Sequence, residues 1–284
     1  MPPGKLIQDL LEQGLVTGLD PRRLSGGRTN LLWLLPNEKG SERVLKLFRA
    51  TVDNPLFPNE CTSECSALIS LKGSGLAPDL VAHGSHAGQD WILYDHVPGR
   101  ASPSDPARVA KALAHVHAQT PWPGLRESAV GSAALREQGQ CMLETCAPDD
   151  RTRLSHLCPT HAVAPPANRH VIHADPVPSN IVERTRGITF IDWQCPALGD
   201  PCEDLAIYLS PAMQWLYTGA ILTPEDTRRC LEAYTDRKVV DRYGRIAPWY
   251  HWRNAAYCAW QAARAQGDYR TALDLELAAL DAAR

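Results

Sequence analysis

Three residues in the second half of the chain have the types and the spacing of a phosphoryl-transfer centre. Asp175 and Asn180 lie five positions apart in the segment HADPVPSN, and Asp192 follows the short run Ile-Thr-Phe-Ile. Phosphoryl-transfer enzymes of one large class place an aspartate base before a metal-binding asparagine, with a second metal-binding aspartate on the next hairpin. Asp175 would accept or orient the proton of a substrate hydroxyl, and Asn180 and Asp192 would offer oxygen ligands to Mg²⁺. Taken one at a time, all three are also ordinary turn residues.

Two histidines precede this centre in the same loop. His173, two residues before Asp175, is expected to brace the loop through hydrogen bonds rather than to do chemistry. A metal site built on His170 and His173 is the alternative, but the polar pattern of the loop is already explained without it. His115 and His117, on a predicted helix, are two positions apart and cannot share a helix face, so we expect one to pack and one to lie on the surface.

A β-hairpin near the N-terminus is the element that would hold the phosphates. In the run Val-Leu-Lys-Leu-Phe, strand alternation points Lys46 to the face opposite Leu45 and Leu47. A buried ammonium group needs an anion nearby, whereas an outward lysine on an edge strand does not. Glu64, on the helix predicted next, is placed to pair with Lys46, as in kinases that hold such a lysine against the α- and β-phosphates of ATP. Glu60, one turn earlier, is the competing candidate.

Two further segments could contact a nucleotide through their backbone. Gly26 and Gly27, in LSGGRTN before the hairpin, would let N–H groups approach a phosphate closely, although a tight turn without a ligand has the same composition. In DHVPGR a strand runs into Val-Pro-Gly, which predicts a hinge. The carbonyl of Asp95 and the N–H of Val97 could contact an adenine ring there, and a plain turn is the alternative.

These elements give an α+β chain divided at the hinge. Residues 1–95 are predicted to form an N-terminal nucleotide-binding lobe with an antiparallel sheet and a helix, and residues 96–100 the hinge. Residues 101–284 are predicted to form a mainly helical C-terminal lobe that carries the catalytic loop and the acceptor pocket.

The composition excludes several classes of function. With 284 residues, 44% hydrophobic residues and a formal charge of −3, the chain has the composition of a globular protein and not of a nucleic-acid binder. No apolar run is long enough to span a membrane, and the N-terminal segment lacks a secretory pattern. The nine cysteines contain no CxxC pair, which favours reduced thiols and a cytoplasmic location. No obligate protein partner is predicted.

The ordered set of motifs resembles the aminoglycoside phosphotransferase/choline kinase family, which includes kinases for thiamine. The motifs span about residues 20 to 210: LSGGRTN, RVLKLF, ECSALISL, YDHVPG, HADPVPSN and IDWQCPALGDPCEDLA. The resemblance implies a two-lobed protein-kinase-like fold, with ATP as phosphoryl donor and Mg²⁺ as the metal. By the same resemblance Asp175 is the catalytic aspartate, Asn180 and Asp192 bind magnesium, and Lys46 contacts the ATP phosphates.

The resemblance also assigns two structural aspartates. Asp200 and Asp204, in GDPCEDLA, would cap the following helix and tie it to the catalytic loop. The chain departs from protein kinases because it has no GxGxxG motif and has Trp193 where they have Phe-Gly. Only seven residues separate Asp192 from Asp200. This leaves no room for a peptide-presenting loop, so a small-molecule alcohol is the expected acceptor.

The acceptor itself is suggested by aromatic residues near the C-terminus. Trp249, Trp252 and Tyr257 crowd one predicted helix, and their ring faces could hold a cation such as choline, an N-methylated ethanolamine or the thiazolium of thiamine. Packing of the same side chains into the core is the alternative. An aminoglycoside kinase is the second functional candidate, and a nucleotide-binding pseudokinase is disfavoured because every polar residue that transfer requires is present.

Overall fold

The chain forms two compact units in the computed structural model, which describes residues 3–24, 29–49, 54–101, 105–264 and 268–283. The first unit comprises Met1–Arg100 and Val182–Cys195, and the second comprises Ala101–Ile181 and Pro196–Arg284. The segment 182–195, which the linear division of the sequence put in the C-terminal lobe, groups with the first unit. Gly26 and Gly27 lie outside the described residues.

The strands are short and most belong to the first unit. Within the described residues they are β1 Arg22–Arg23, β2 Leu31–Pro36, β3 Glu42–Leu47, β4 Leu80–His86, β5 Gln89–Asp95, β6 Arg100–Ala101, β7 Arg126–Glu127, β8 His170–Ile172, β9 Ile181–Arg184, β10 Gly187–Phe190 and β11 Ala197–Gly199. Single 3₁₀ turns span Glu38–Gly40 and Pro178–Asn180.

The helices belong mainly to the second unit. Within the described residues they are α1 Gly4–Glu12, α2 Cys61–Ser70, α3 Pro106–His117, α4 Gly131–Leu143, α5 Pro148–His156, α6 Pro201–Leu209, α7 Pro211–Thr218, α8 Pro224–Ala233, α9 Arg237–Ala262 and α10 Tyr269–Ala282. None of these helices is long and apolar enough to cross a membrane.

The five-stranded sheet of the first unit places Lys46 at its centre. Its order is β1-β2-β3-β5-β4, and all described pairings are antiparallel. On β3, Lys46 stands between Leu32 of β2 and Ile92 of β5. Its neighbours Leu45 and Leu47 point to the other face, where they pack with the apolar side of α1. Because side chains alternate along a strand, burying Leu45 and Leu47 against α1 fixes Lys46 on the opposite face.

Two connections complete the first unit around this face. Helix α2 packs against β4 and β5 and ends before Gly73 and Gly75, whose positive φ angles suit glycine. The hairpin of β9 and β10 is tied to the chain that follows α2, since Phe190 N donates to Leu76 O at 2.8 Å. Asp192 comes two residues after the end of β10, so the β9–β10 hairpin places it in the first unit.

Helix starts in the second unit follow a repeated pattern in the sequence. Four helices begin with an Asp, Ser or Thr cap followed by proline, at Asp105, Asp200, Ser210 and Thr223. Each of these side chains accepts a backbone N–H from the first turn of its helix, and proline fits the first helical position because its missing N–H would be unpaired there.

The long helix α9 is the core of the second unit. It packs against α4, α6 and α10. Where α4 crosses it, Gly139 faces the indole of Trp252, and a Cβ atom at residue 139 would lie 2.2 Å from that ring. The close approach therefore requires glycine on α4. A small sheet in the order β7-β11-β8 leads the chain from β8 into the loop that carries Asp175. The mixture of α and β elements predicted from the sequence is confirmed.

Candidate active site

The candidate residues fall into two groups, one in each unit. In the first unit, Lys46 Nζ lies 2.5 Å from Glu64 Oε2 and also donates to Asp192 Oδ1. Lys46 and Glu64 are each 1% exposed. A buried ammonium needs compensating anions, and this lysine has two. The structure thus brings together three residues that lie up to 146 positions apart in the sequence.

Burial and charge act in opposite directions on this cluster. Burial works to lower the pKa of Lys46, but the charges of Asp192 and Glu64 outweigh it and raise that pKa above its usual value. Burial raises the pKa of Glu64 to about 7, against the lowering effect of Lys46. Lys46 is therefore a permanent cation, whereas Glu64 can hold a proton near neutral pH.

Of the two glutamates left open by the sequence, Glu64 is the one that contacts Lys46. Glu60 is exposed, precedes the first residue of α2 and accepts a hydrogen bond from Ser63 Oγ at 2.7 Å. Glu64 lies one turn further along, on the side of α2 that is buried with Cys65 and Leu68. Helix phase cannot decide between them, because positions four apart fall near the same face. Burial decides, since Glu60 lies exposed before the helix and Glu64 is buried within it.

An amide cluster in the first unit was missed by the sequence analysis. Asn30 Nδ2 donates to Asn59 Oδ1 at 2.7 Å and to Gln194 Oε1 at 3.2 Å, and Asn30 Oδ1 accepts from Arg49 N at 3.2 Å. Asn30 and Gln194 are both buried. Asn30 is the last residue of LSGGRTN and Gln194 is two residues after Asp192, so this cluster joins the two segments. The signal in the sequence was an asparagine directly before an apolar strand.

In the second unit, Asp204 fixes the backbone of the loop that carries Asp175. Its Oδ2 accepts from His173 N at 2.9 Å and its Oδ1 accepts from Ala174 N at 2.8 Å. Ala174 has a φ of 66°, a left-handed conformation that costs a non-glycine residue about 1 kcal/mol or more. Asp204 is fully buried, and its two hydrogen bonds stabilise this strained backbone directly before Asp175.

The side chains of the loop itself form a local network. Asn180 Nδ2 donates to the backbone O of Asp175 at 3.0 Å and to its Oδ2 at 3.2 Å. Asp175 N donates to His173 Nδ1 at 3.2 Å, which matches the bracing role expected of His173. The amide nitrogen of Asn180 donates both of these hydrogen bonds. Its amide oxygen is therefore the atom that could bind a metal.

His117 extends this network away from the loop. Its Nε2 lies 2.9 Å from Asp204 Oδ2 and its Nδ1 lies 2.6 Å from Tyr234 Oη, and the imidazole is buried. His170 Nδ1 lies 2.9 Å from His117 O, so it contacts this backbone and not a metal site with His173. Among the described residues no three His, Cys, Asp or Glu side chains are grouped so that they could hold a metal ion.

Asp200 links the start of α6 to α9. Its Oδ1 accepts from Cys202 N at 3.0 Å, which caps α6, and its Oδ2 accepts from Arg242 Nε at 2.7 Å. Asp200 is fully buried and Arg242 nearly so. Asp200 thus links the start of α6 to α9. Asp204, one turn further along α6, links the helix to the loop that carries Asp175.

The hinge residues lie at the end of β5. Asp95 pairs with Arg43 of β3, with Arg43 Nε 3.2 Å from Asp95 Oδ1, and its backbone N–H donates to Asp79 O at 3.0 Å. His96 N donates to Glu42 O at 3.0 Å. Val97 follows in an irregular segment. These contacts fix the backbone up to His96, and the proposed adenine contacts of Asp95 and Val97 stay predictions.

The aromatic side chains predicted to line an acceptor pocket lie in the core of the second unit. Trp249 and Trp252 are 1% and 0% exposed, and their indole nitrogens donate to His161 O at 3.0 Å and Leu154 O at 2.8 Å. Tyr257 is also buried and its ring packs edge-on against Tyr269, with centroids 6.1 Å apart. This burial favours the packing alternative over an open pocket at these residues.

Helix α7, which follows α6, carries two further aromatic residues. Helix α7 packs against the 3₁₀ turn Pro178–Asn180. The side chains of Trp215 and Tyr217, on the last turns of α7, are half-buried. In the sequence these two residues stand out less than the aromatic-rich segment of α9, which is the denser cluster. Positions 215 and 217 are two apart and cannot share a helix face, so at most one of the two rings can face that turn.

The fold and these two groups of residues define a small-molecule phosphotransferase. Residues 20–249 match the family model described as the phosphotransferase enzyme family, and the chain belongs to this family. The predictions of the family and of an enzyme are therefore confirmed. No curated protein sequence matches the chain.

Solved structures with the same fold cover nearly the whole chain. Choline kinase LicA from Streptococcus pneumoniae is 20% identical, with a TM-score of 0.64, over 98% of this chain and 99% of its own. A choline/ethanolamine kinase family protein from Mesorhizobium loti is 18% identical, with a TM-score of 0.66, over 100% and 94%. Amicoumacin kinase hAmiN, in complex with AMP-PNP and Ca²⁺, is 16% identical, with a TM-score of 0.62, over 96% and 93%. At these identities the likeness is one of fold.

Proposed function

We propose that this phosphotransferase moves the γ-phosphoryl group of ATP to a hydroxyl of a small, cationic metabolite. The observation that carries the proposal is the buried Lys46, which contacts Glu64 and Asp192. It lies on the face of the sheet opposite α1. Keeping an ammonium charged in a buried position has a cost. A nucleotide phosphate as ligand explains why the chain maintains that charge. Lys46 would contact the α- and β-phosphates, and Glu64 would hold it in place.

Asp175 is proposed as the residue that receives or orients the acceptor hydroxyl proton. Its carboxylate is held by Asn180 Nδ2 at 3.2 Å, and its backbone is fixed through Asp204. Most of the rate gain in phosphoryl transfer comes from positioning and electrostatics, so a rigid loop around one carboxylate suits the reaction. His173 contributes by bracing the loop and not by touching the substrate.

Magnesium fits the oxygen atoms that the chain offers. Asp192 presents a carboxylate and Asn180 an amide oxygen, and both are hard ligands of the kind that Mg²⁺ prefers beside phosphate oxygens. The backbone of Asp192 has a left-handed conformation with φ 64°, which is uncommon for a residue other than glycine. In this conformation its side chain contacts Lys46. When bound, the metal would neutralise charge on the β- and γ-phosphates.

The acceptor is proposed to be a small alcohol with a quaternary or otherwise flat cation. The short step from Asp192 to Asp200 argues against a protein substrate, and a half-buried aromatic face on α7, such as that of Trp215, could hold a cation at about 0.5–2 kcal/mol. The choline and choline/ethanolamine kinases with the same fold support this class of acceptor. An aminoglycoside is the second candidate, because that reaction uses the same donor chemistry.

A substrate panel tests the proposal directly. ATP turnover would be measured with choline, ethanolamines, thiamine, homoserine and kanamycin, and phosphorylated product would be identified by mass. We expect product with a cationic alcohol, loss of turnover in Asp175→Ala, and unchanged ATP affinity in that variant. A panel with intact ATP binding and no phosphorylated alcohol would exclude the kinase function. Turnover retained in Asp175→Ala would remove that residue from its proposed role.

A further inference from the structure

Two cysteines flank Glu64 on the helix that holds Lys46. Cys61 is the first residue of α2, and Cys65 follows it by four positions, directly after Glu64. Residues four apart on a helix are neighbours on one face, with Cβ atoms about 5–6 Å apart. Both thiols are free, and their interaction lowers the pKa of Cys65 and raises that of Cys61. Cys65 is 7% exposed, while Cys61 is half-buried.

We propose that Cys61 and Cys65 form a dithiol modification site that a hydroperoxide converts to a disulfide, and that this disulfide weakens nucleotide binding by displacing Glu64. The second half of the inference rests on the proposed function. The chemistry of the first half does not, since it needs only two adjacent thiols and an oxidant of the peroxide class.

The reaction balances with one equivalent of hydroperoxide. The sulfur of Cys65 attacks the terminal oxygen of the peroxide, an S–O bond forms, and the O–O bond breaks to release water or an alcohol. The sulfur of Cys61 then attacks the sulfenic sulfur, so an S–S bond forms and the S–O bond breaks to release water. Both sulfurs are oxidised and the peroxide is reduced. The neighbouring Cys61 thiol lowers the pKa of Cys65, which supports Cys65 as the first nucleophile.

The geometry of the helix makes the disulfide incompatible with the Lys46–Glu64 pair. A disulfide needs Cβ atoms about 3.5–4.5 Å apart, closer than a regular helix sets positions four apart. The turn from Cys61 to Cys65 must therefore contract, and Glu64 lies inside that turn with its carboxylate 2.5 Å from Lys46. A bond formed under this strain is also easier to reduce, so the change is reversible by a thiol reductant.

The test begins with a mass measurement that does not depend on activity. The reduced full-length chain would be treated with hydrogen peroxide, blocked with an alkylating agent and digested with trypsin. Cys61 and Cys65 fall on one tryptic peptide, residues 50–72. We expect that peptide to lose two hydrogens and to escape alkylation. Cys61→Ser should instead accumulate a sulfenic acid on Cys65 that dimedone traps. A fully alkylated peptide after treatment would overturn the proposal.

Nucleotide affinity tests the coupling to Glu64. We expect the dissociation constant for ATP, measured by calorimetry, to rise on the order of tenfold on oxidation and to return with dithiothreitol. Cys65→Ser should bind ATP equally before and after treatment. Cys141→Ser, which removes an exposed thiol on α4, is the matched control and should respond like the wild type. A mapped disulfide with unchanged ATP affinity would refute the coupling between oxidation and nucleotide binding. If the acceptor panel alone gave no product, the peptide mass and the ATP affinity would still test this inference.

Discussion

Replacing Glu64 by glutamine gives the sharpest test of the buried charge cluster. The substitution keeps the size of the side chain and an acceptor oxygen beside Lys46 Nζ, now 2.5 Å from Glu64 Oε2. It removes one negative charge, while Asp192 remains bound to Lys46. The cluster then changes from one positive and two negative groups to one of each.

The magnitude follows from the pKa of Glu64. Burial raises this pKa from 4.5 to about 7, so between these values the folded protein holds a proton that the unfolded chain has lost. A group with a raised folded-state acid pKa stabilises the fold less as pH increases, and the loss is complete above pH 7. At about 1.4 kcal/mol per pKa unit, this pH-dependent loss is on the order of 3 kcal/mol.

The expected result is that Glu64→Gln is as stable as the wild type near pH 5 and more stable above pH 7, by an amount on the order of 3 kcal/mol. Urea unfolding followed by tryptophan fluorescence, from about pH 5 to about pH 8, would measure the difference. Glu60→Gln, at an exposed position one turn away, is the control and should track the wild type. The same variant should bind ATP more weakly, because Lys46 loses a positioning partner.

A loss of about 3–5 kcal/mol in Glu64→Gln at pH 8, with no dependence on pH, would refute this reasoning. It would mean that attraction to Lys46 outweighs the cost of burying the carboxylate. Carbon-13 NMR of the glutamate carboxyls would then locate the pKa directly, by comparing the wild type with the variant.

Three other outcomes are expected. Ala174→Gly relieves a left-handed φ of 66° and should change the free energy of unfolding by between zero and about +1 kcal/mol, whereas Ala206→Gly inside α6 should cost about 1 kcal/mol in the same urea assay. Trp252→Ala should cost about 3–5 kcal/mol because the indole is fully buried, while Trp215→Ala should cost under about 1 kcal/mol and raise the KM of the acceptor. Removing divalent metal with EDTA should stop ATP turnover, and added Mg²⁺ should restore it.

Strand alternation and helix phase carried the sequence analysis furthest. Strand alternation pointed Lys46 away from Leu45 and Leu47, and the helical pattern placed Glu64 on the next helix, where it could pair with Lys46. The structure has both features. These inferences worked because each depends on a short stretch of chain with one dominant period.

Contacts between distant positions were beyond the sequence. His117 was expected to pack or face solvent, yet it bonds Asp204 across 87 positions, and Asn30 reaches Gln194 across 164. Nothing local distinguishes a buried hydrogen-bonding histidine or asparagine from an exposed one. The aromatic segment around Trp252 was ambiguous for a related reason, since a ring-rich helix face serves a core as readily as a pocket. Burial, which only tertiary structure sets, decided between them.

The interrupted path of the first unit has a consequence for how the protein is made. Asp192 and Gln194 belong to that unit, but residues 101–181, which belong to the second, are synthesised before them. A nascent chain of 100 residues therefore has Lys46 and Glu64 without the second carboxylate, and Asn30 without its distant amide partner. The first unit cannot be completed on the ribosome until residues 182–195 have been synthesised. A fragment that ends at the hinge would likewise contain Lys46 and Glu64 but not Asp192. Because the first unit includes residues 182–195, one cut in the gene cannot separate the two units.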